Sequence, residues 1–452
     1  LEDRNKGDEA KMRITVVGLG YVGAVAAAAL AHSGYNVVGV DADWERVSAF
    51  RQGSCPFYEP KLPELLSSGL AAGRLRFHHP EEMTTPLGEV ILVAVGTPSR
   101  SYGGTDLSQV RAAIRWVPQY EPGSAVLVMK STVPPGTGLR LVAEELVNSG
   151  LRYVANPEFL REGQAVYDWF HPGRIVIGGE NEEAITLVKK MYTGIEAPLL
   201  ITDITSAETI KYAANAFLAT KISFVNEMAS LCERVGANID DIARGIGLDP
   251  RIGQSFLRAG LGYGGSCFPK DIRALDFCSA VKGYNFELLR AVINVNNRQR
   301  LLPLQALHAA FGTIKGVKVA LLGVAFKPHT DDSREAPALD IARLLVEDGA
   351  EVRAYDPQAM ENARSLLPEK VVLCESALEA LRGTQAVVLV TEWPEFCELP
   401  WEQVSRVLVP PRLIFDGRNA LDGRELMRLG FYYRGVGRSG PRWEQRHQEN
   451  NQ

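Results

Sequence analysis

Residues Met12–Asp41 read MRITVVGLGYVGAVAAAALAHSGYNVVGVD, and this stretch decides the fold. Residues 12–17 form a short apolar run of β character. Gly18, Gly20 and Gly23 follow in GLGYVG, then an alanine-rich helix, AVAAAALAHSG, then a second apolar run, NVVGVD, ending on Asp41. Strand, glycine turn, helix, strand and acid, with the acid 21 residues after Gly20, is the order of a dinucleotide-binding βαβ unit. Glycines let the backbone approach a pyrophosphate, and the helix N-terminus offers free N–H groups and a positive dipole end. Asp41 can accept from a ribose 2′-hydroxyl and its charge repels a 2′-phosphate, so the pattern predicts NAD rather than NADP. A tight turn with no ligand is the plain alternative; the flanking strands and the acid weigh against it.

Further runs keep the rhythm. EVILVAVGTPS, AVLVMKSTVPPGTG and LRYVANPEFLREG each read as a strand ending in a loop of small residues. Ligands of an open parallel sheet sit at the carboxyl ends of its strands, which directs Thr97, Thr132, Glu158 and Glu162 towards the cofactor.

The stretch Asp203–Gly236 reads as one helix of about 30 residues, roughly 45 Å long. Thr205 and Glu208 have the spacing of a capping box at its start. Apolar residues run nearly all round it, which predicts burial between domains or subunits. Lys211 and Asn215, four apart, share one face. They are either a salt-bridged lysine and a satisfied amide, or two donors aimed at a developing oxyanion, and the pattern alone does not choose.

A mixed helical stretch follows, from about 270 to 312. The opening order then recurs in KGVKVALLGVAFKPHTDDSREAPALDIARLLVEDGAEVRAYDP, this time without the glycine fingerprint. The runs QAVVLVTEWPEF and RLIFDGRN extend it. Lys327, Arg334 and Arg418 fall in loops at the strand ends, where cations suit the phosphates or ribose of a second nucleotide; solvated surface charge is the bland reading of each. The expected class is α/β, with two Rossmann-like doubly wound domains joined by a long central helix. The expected domains are 12–202 for NAD, 203–312 as a central helical region, and 313–437 for the second nucleotide, with flexible tails at 1–11 and 438–452.

The chain has 452 residues, 46% of them apolar and 23% charged, with a formal charge of −5, which argues against nucleic acid or an anionic membrane as main partner. No apolar run has bilayer length, and LEDRNKGDEA at the start is too polar for a signal peptide. The six cysteines form no CxxC pair and the seven histidines no HxH or HxxxH, so no metal site and reduced, cytoplasmic thiols are expected. Within GYGGSCFPKD, Gly262–Asp271, Cys267 sits in a glycine-rich turn with Lys270 and Asp271 close behind. Filler, metal ligand and nucleophile all stay open for it here. Cys232 and Cys278 lie on helical patterns and Cys374 follows an apolar run, so all three read as inert small hydrophobes.

The motifs GLGYVG, VGTP, KSTVPPGT, NPEFLREG, KYAANAFLATKISFVNE, DPRIG, GYGGSCFPKD, GVAFKPHTDDSRE and FDGRN stand in the order found in nucleotide-sugar dehydrogenases. From Met12 to Gly437 the chain resembles the UDP-glucose/GDP-mannose dehydrogenase family. Departures are small: Pro135 and Gly173 replace commonly aliphatic and acidic positions. The resemblance implies oxidation of a sugar C6 alcohol to a carboxylate with two NAD⁺, on a UDP-sugar, UDP-glucose giving UDP-glucuronate. GDP-mannose or another nucleotide sugar is the alternative. It also implies a homodimer or larger homo-oligomer built on the long helix.

A four-electron oxidation needs a second hydride after the aldehyde has formed. Addition of a Cys267 thiolate restores one, since the thiohemiacetal can lose hydride and leave a thioester for water to cleave. Cys267 is therefore expected to be the nucleophile. The resemblance implies oxyanion stabilisation by Lys211 and Asn215. It gives Asp271 and Thr132 a water that takes the alcohol proton, with Lys211 a rival base, and Glu158 a part in thioester hydrolysis. It assigns Gly18, Gly20, Tyr21, Val22, Gly23, Asp41, Arg46, Thr97, Thr132, Glu162, Lys270 and Arg334 to NAD. Glu158, Phe159, Leu160, Lys211, Asn215, Phe256, Arg258, Tyr263, Gly264, Phe326, Lys327 and Arg418 fall to the substrate, with Arg251 expected to reach a neighbouring subunit's site. A two-electron β-hydroxyacid dehydrogenase and a non-enzymatic NAD-binding scaffold are the competing classes. The first would need neither Cys267 nor the second sheet, and the second would not need the polar residues at the strand ends.

Overall fold

The computed structural model describes residues 12–84, 86–120 and 123–438; the expected tail 1–11, and all of the expected tail 438–452 except Arg438, lie outside them. The chain divides into two compact units, one running to Ala214 and including Arg273–Gly283, the other made of Asn215–Ile272 and the chain from Tyr284.

The first unit holds an eight-stranded sheet. Its strands are β1 (Arg13–Val17), β2 (Asn36–Val40), β3 (Leu75–His78), β4 (Val90–Val93), β5 (Val126–Met129), β6 (Arg152–Ala155), β7 (Ile175–Gly178) and β8 (Leu199–Thr202). The order is β3-β2-β1-β4-β5-β6-β7-β8. Strands β1 to β6 pair in parallel, and β7 meets β6 antiparallel at Ala155 and Gly178. Side chains alternate between two cores: Val90 and Leu92 pack on one face, Ile91 and Val93 on the other. Burial on both faces explains why these strands read as unbroken apolar runs. The strand order reverses between β1 and β4, and the carboxyl ends there are where this kind of sheet binds ligands.

The second unit repeats the design with β9 (Lys318–Leu322), β10 (Glu351–Tyr355), β11 (Val372–Leu373), β12 (Ala386–Leu389), β13 (Leu413–Asp416) and β14 (Tyr432–Gly435). The order β11-β10-β9-β12-β13-β14 is all parallel and matches the first six strands of the other sheet. The expectation of an α/β chain with two doubly wound sheets is met. Arg438, expected to open the tail, is held by bonds to Asp240 and to the carbonyls of Leu421 and Asn419.

The long helix spans Ile204–Val235, 32 residues. One expectation about it needs correction. Thr205 does not cap it: Asp203 does, its Oδ1 accepting from the Ser206 N–H at 2.8 Å. Glu208 is turned to another loop, described below, so the capping-box spacing arose by chance. Within this one chain the helix is covered on one side only. Tyr212, Ala219, Val225 and Cys232 are buried, yet Phe217, Phe224, Leu231 and Val235 are 66%, 53%, 47% and 66% exposed. Phe217, Phe224 and Leu231 recur every seven residues, so one apolar stripe of the helix faces outward. Among the described residues no helix is long and apolar enough to cross a membrane.

Candidate active site

The dinucleotide turn begins where β1 ends. Gly18 has φ +91°, and a Cβ there would meet Ala94 O at 2.8 Å. A Cβ on Gly23 would stand 1.8 Å from Gly18 O, so the first turn of the helix Tyr21–His32 packs directly on the loop. Gly20, at the helix N-cap, has no heavy atom among the described residues within 4 Å of the Cβ position. That open backbone at a helix N-terminus fits the pyrophosphate of NAD. Asp41 closes β2; its Oδ2 accepts from the Leu19 N–H at 2.6 Å and its Oδ1 from the Asp43 N–H at 2.9 Å. Arg46 reaches both oxygens at 3.2 Å. Asp41 therefore braces the turn as well as presenting charge where a ribose would lie.

Tyr21 and Glu59 anchor the loop that carries Glu162. The Gly163 N–H donates to Glu59 Oε2 at 2.7 Å and to the Tyr21 hydroxyl at 3.1 Å, and the Val166 N–H donates to Glu59 Oε1 at 3.2 Å. Burial, then the charge of Glu59, pushes the Tyr21 hydroxyl far above its usual range. Burial pushes the Glu59 carboxyl up despite those donors. Glu59 has no sequence signal, being a single acid in a loop.

Glu158 and Lys211 form a buried ion pair at 2.9 Å, with side chains 7% and 5% exposed. Burial alone would raise the Glu158 carboxyl, but the Lys211 charge, its hydrogen bond and the Leu160 N–H outweigh it and hold the group below the usual carboxylate range. Phe159 lies beneath two cations, Arg174 at 3.7 Å and Lys211 at 5.5 Å from the ring centre. A cavity of about 230 Å³ is bordered by Glu158, Lys130, Asn156, Arg174 and Tyr192. Lys130, which the sequence did not single out, is buried and bonded to Asn156 Oδ1 at 3.1 Å and the Tyr192 hydroxyl at 2.8 Å. Thr97 is buried and Thr132 half-buried in the loops after β4 and β5.

In the second unit the cysteine loop is threaded through fixed partners. Gly262 and Gly265 have φ +86° and +85°. The Gly260 N–H donates to Asn226 Oδ1 on the long helix at 2.8 Å, and the Tyr263 N–H to Asn296 Oδ1 at 2.8 Å. The Gly265 N–H donates to Arg334 O at 3.0 Å, and a Cβ there would strike the Phe326 ring at 2.7 Å. A Cβ on Gly264 would meet Glu335 O at 2.4 Å. Cys267, half-buried, immediately precedes the helix Phe268–Val281, whose N-terminus favours negative charge on the sulfur. Asp271 is 1% exposed. Its Oδ2 accepts from Asn215 Nδ2 at 2.7 Å and its Oδ1 from Lys270 Nζ at 2.6 Å.

The cations of this unit differ in commitment. Arg418 donates to Val390 O, Gly262 O and Phe326 O at 2.6, 3.2 and 3.3 Å, tying two strand-end loops to the cysteine loop. An arginine has five N–H donors, so two remain. Arg334 grips Asp332 through two bonds of 2.8 Å. Lys327 stands 5.4 Å from the Phe326 ring centre, and Arg258 is 3.7 Å from Glu392. Phe256 is partly exposed with φ +65°. Arg251 pairs with Asp249 but leaves 87% of its side chain in solvent.

The second sheet also keeps part of the glycine fingerprint thought missing. Gly323, directly after β9, has φ +94° and would strike Thr391 with a Cβ at 2.4 Å, as Gly18 does with Ala94. Asp356, after β10, accepts from the Val324 and Ala325 N–H groups at 2.7 and 2.9 Å, the counterpart of Asp41 on Leu19. Asp356 also accepts from Trp393 Nε1 and from the Gln358 and Ala359 N–H groups, so its carboxylate is saturated by protein. The turn survives while the dinucleotide-binding features do not.

Residues 12–196 match the NAD binding domain of the UDP-glucose/GDP-mannose dehydrogenase family, 205–298 its central domain and 320–423 its UDP binding domain. The chain is 43% identical over 431 residues to UDP-glucose 6-dehydrogenase YwqF of Bacillus subtilis (strain 168), covering 94% of this chain and 98% of that protein. The chain belongs to the UDP-glucose/GDP-mannose dehydrogenase family. This dehydrogenase is also 44% identical over 437 residues to the UDP-glucose 6-dehydrogenase of Rhizobium meliloti (strain 1021), covering 94% of this chain and 100% of that one. It superposes with a TM-score of 0.88 and 39% identity on a UDP-glucose dehydrogenase from the hyperthermophilic archaeon Pyrobaculum islandicum, covering 97% and 99% of the two chains. The resemblance drawn from the motifs is thereby borne out, as is NAD as the cofactor.

Proposed function

We propose that this dehydrogenase oxidises UDP-glucose at C6 to UDP-glucuronate through a covalent bond to Cys267. The observation that supports it most is the cysteine loop: a thiol at a helix N-terminus, with buried Asp271 four residues on and bonded to Asn215 and Lys270. NAD⁺, when bound, supplies the hydride acceptor for each of the two oxidation steps. The chain supplies the rest. A water held by Asp271 and the Thr132 hydroxyl takes the O6 proton, and Lys211 and Asn215 stabilise the oxyanions. The Cys267 thiolate adds to C6 of the aldehyde. The thiohemiacetal loses its hydride and leaves a thioester. Glu158 assists water in cleaving it, which releases the carboxylate and the thiol. Ionised Glu158 suits that last step. On the nucleotide side, Arg258, Lys327 and the two remaining donors of Arg418 hold the UDP moiety.

The active form is a homodimer joined along the Phe217–Phe224–Leu231 stripe, and Arg251 reaches the partner's substrate. A stripe of large apolar side chains open to water favours a covering surface. A panel of UDP-glucose, UDP-galactose, GDP-mannose and UDP-N-acetylmannosamine, assayed for NADH yield, tests the substrate. UDP-glucose is expected to give the highest kcat/KM, and preference for GDP-mannose would overturn the uracil assignment.

A further inference from the structure

Glu208, three residues before Lys211 on the long helix, is 4% exposed. Its Oε2 accepts from the Gly136 N–H and its Oε1 from the Gly138 N–H, both at 2.7 Å. Gly136 has φ +82°, and a Cβ on Gly138 would lie 2.8 Å from Glu208 Oε1, 2.7 Å from Tyr153 and 2.6 Å from Ile204. Only a residue without a side chain lets the carboxylate reach that N–H. The loop is anchored at its other end as well. The Ser131 N–H donates to Val93 O at 3.0 Å, and the Ser131 hydroxyl to Val95 O at 2.7 Å. Val133 is buried, and the Thr137 N–H closes a turn onto Pro134 O at 3.0 Å. Thr132 thus stands between an anchor on β4 and one on Glu208, with two prolines stiffening the short span between.

We propose that Glu208 is a positioning residue for the oxidation: its ionised carboxylate clamps Gly136 and Gly138 and so fixes the Thr132 hydroxyl. This rests on the part given to Thr132 under the proposed function. The charge state gives it a signature. Burial pushes the Glu208 carboxyl up to about 7, against the N–H groups of Gly138, Gly136 and Thr137 and the charge of Arg140. Among the described residues, Arg140, on the helix Thr137–Leu141, acts on it by charge, and Tyr153, on β6, feels the charge of Glu208 in turn. A protonated carboxyl accepts poorly at the oxygen that carries the proton, so one glycine N–H loses its partner. The clamp therefore loosens as pH falls below about 7.

Two measurements test it. Hydrogen exchange of segment 131–138 is followed in the wild-type chain from pH 6 to 8.5, corrected for intrinsic exchange. Steady-state kinetics of Glu208→Gln use NAD⁺ and whichever nucleotide sugar the wild type oxidises best. Glutamine keeps the shape but turns an amino group towards one of the glycine donors. Wild-type protection is expected to fall at least about tenfold below pH 7, the worth of a hydrogen bond to a charged group. The kcat of Glu208→Gln is expected to drop about 10²-fold with KM little changed, as for a reacting group moved by about 1 Å. The wild-type kcat should fall more steeply below about pH 7 than the variant's, a difference that mere loss of stability does not produce. Wild-type protection independent of pH, or wild-type kcat and pH profile in Glu208→Gln, would overturn the proposal. If the variant does not fold, wild-type exchange decides alone. Turnover of a sugar other than UDP-glucose would remove the substrate assignment and leave the clamp standing.

Discussion

Cys267 stands half-buried at a helix N-terminus, in a loop held at Gly260, Tyr263 and Gly265. Cys232 and Cys374 are buried, and burial pushes both thiols up. Replacing Cys267 by serine should abolish uronate formation while leaving NADH-dependent reduction of the C6 aldehyde to the alcohol measurable. Full uronate production by Cys267→Ser would remove the covalent step. Lys211→Ala should lower kcat by about 10²–10³ with a smaller change in KM, the usual cost of an oxyanion donor. It should also raise the Glu158 carboxyl, since burial then acts without its strongest opponent. A Lys211→Ala enzyme with normal kcat and poor KM would instead make Lys211 a binding residue. At this scale the sequence was legible where chemistry demands a residue type at a motif position, as for Cys267 and Lys211. It was silent on Glu59, Lys130 and Asp356, whose parts depend on which loops meet them in space.

The glycine turn shows how an element reads in both directions. Its pattern announced a βαβ unit because each glycine answers a separate contact: Gly18 a positive φ, Gly20 an open face, Gly23 an approach to Gly18 O. Gly23→Ala should cost about 1–3 kcal/mol by overpacking and weaken NAD binding, read by Tm and by NAD titration. Asp41→Asn keeps an acceptor for the Leu19 N–H but removes the charge. The ratio of kcat/KM for NAD over NADP should fall by roughly tenfold, the worth of a charge-assisted hydrogen bond. An unchanged ratio would leave Asp41 only its structural task. The second sheet was legible as a repeat, yet its Gly323 was not recognised as the counterpart of Gly18. Without its companion glycines the residue carries no pattern, and only the backbone angle reveals it. The supposed capping box failed for a related reason. Thr205 and Glu208 have the right spacing, but the helix starts one residue after Asp203, and Glu208 found two N–H donors far away in sequence.

For the whole molecule, the outward stripe of the long helix makes a prediction about mass. Phe224→Asp places a charge mid-stripe and should shift the species seen by light scattering from dimer towards monomer, with activity lost in parallel if Arg251 acts across subunits. The pH dependence of stability makes another. The Glu208 carboxyl sits higher folded, at about 7, than its ordinary 4.5. Against the unfolded chain, where the carboxyl is solvated, the folded chain holds that proton more tightly, so global stability falls as pH rises from about 4.5 through 7, even though the two glycine bonds are made best by the ionised form. The difference amounts to on the order of 3 kcal/mol, fully expressed above pH 7. Thermal unfolding of Glu208→Gln should lack that part of the slope; an identical slope would place the group elsewhere. Fold and cofactor were legible because periodicity and glycine spacing are local properties of the chain, whereas the exposed stripe was not, because apolar residues all round a helix do not say which of them the rest of the chain leaves uncovered. The four-electron chemistry is read out by counting NADH formed per molecule of UDP-glucose at exhaustion of limiting substrate. Two NADH for each UDP-glucuronate is the predicted result, and one NADH, with the aldehyde or another two-electron product accumulating, would contradict it.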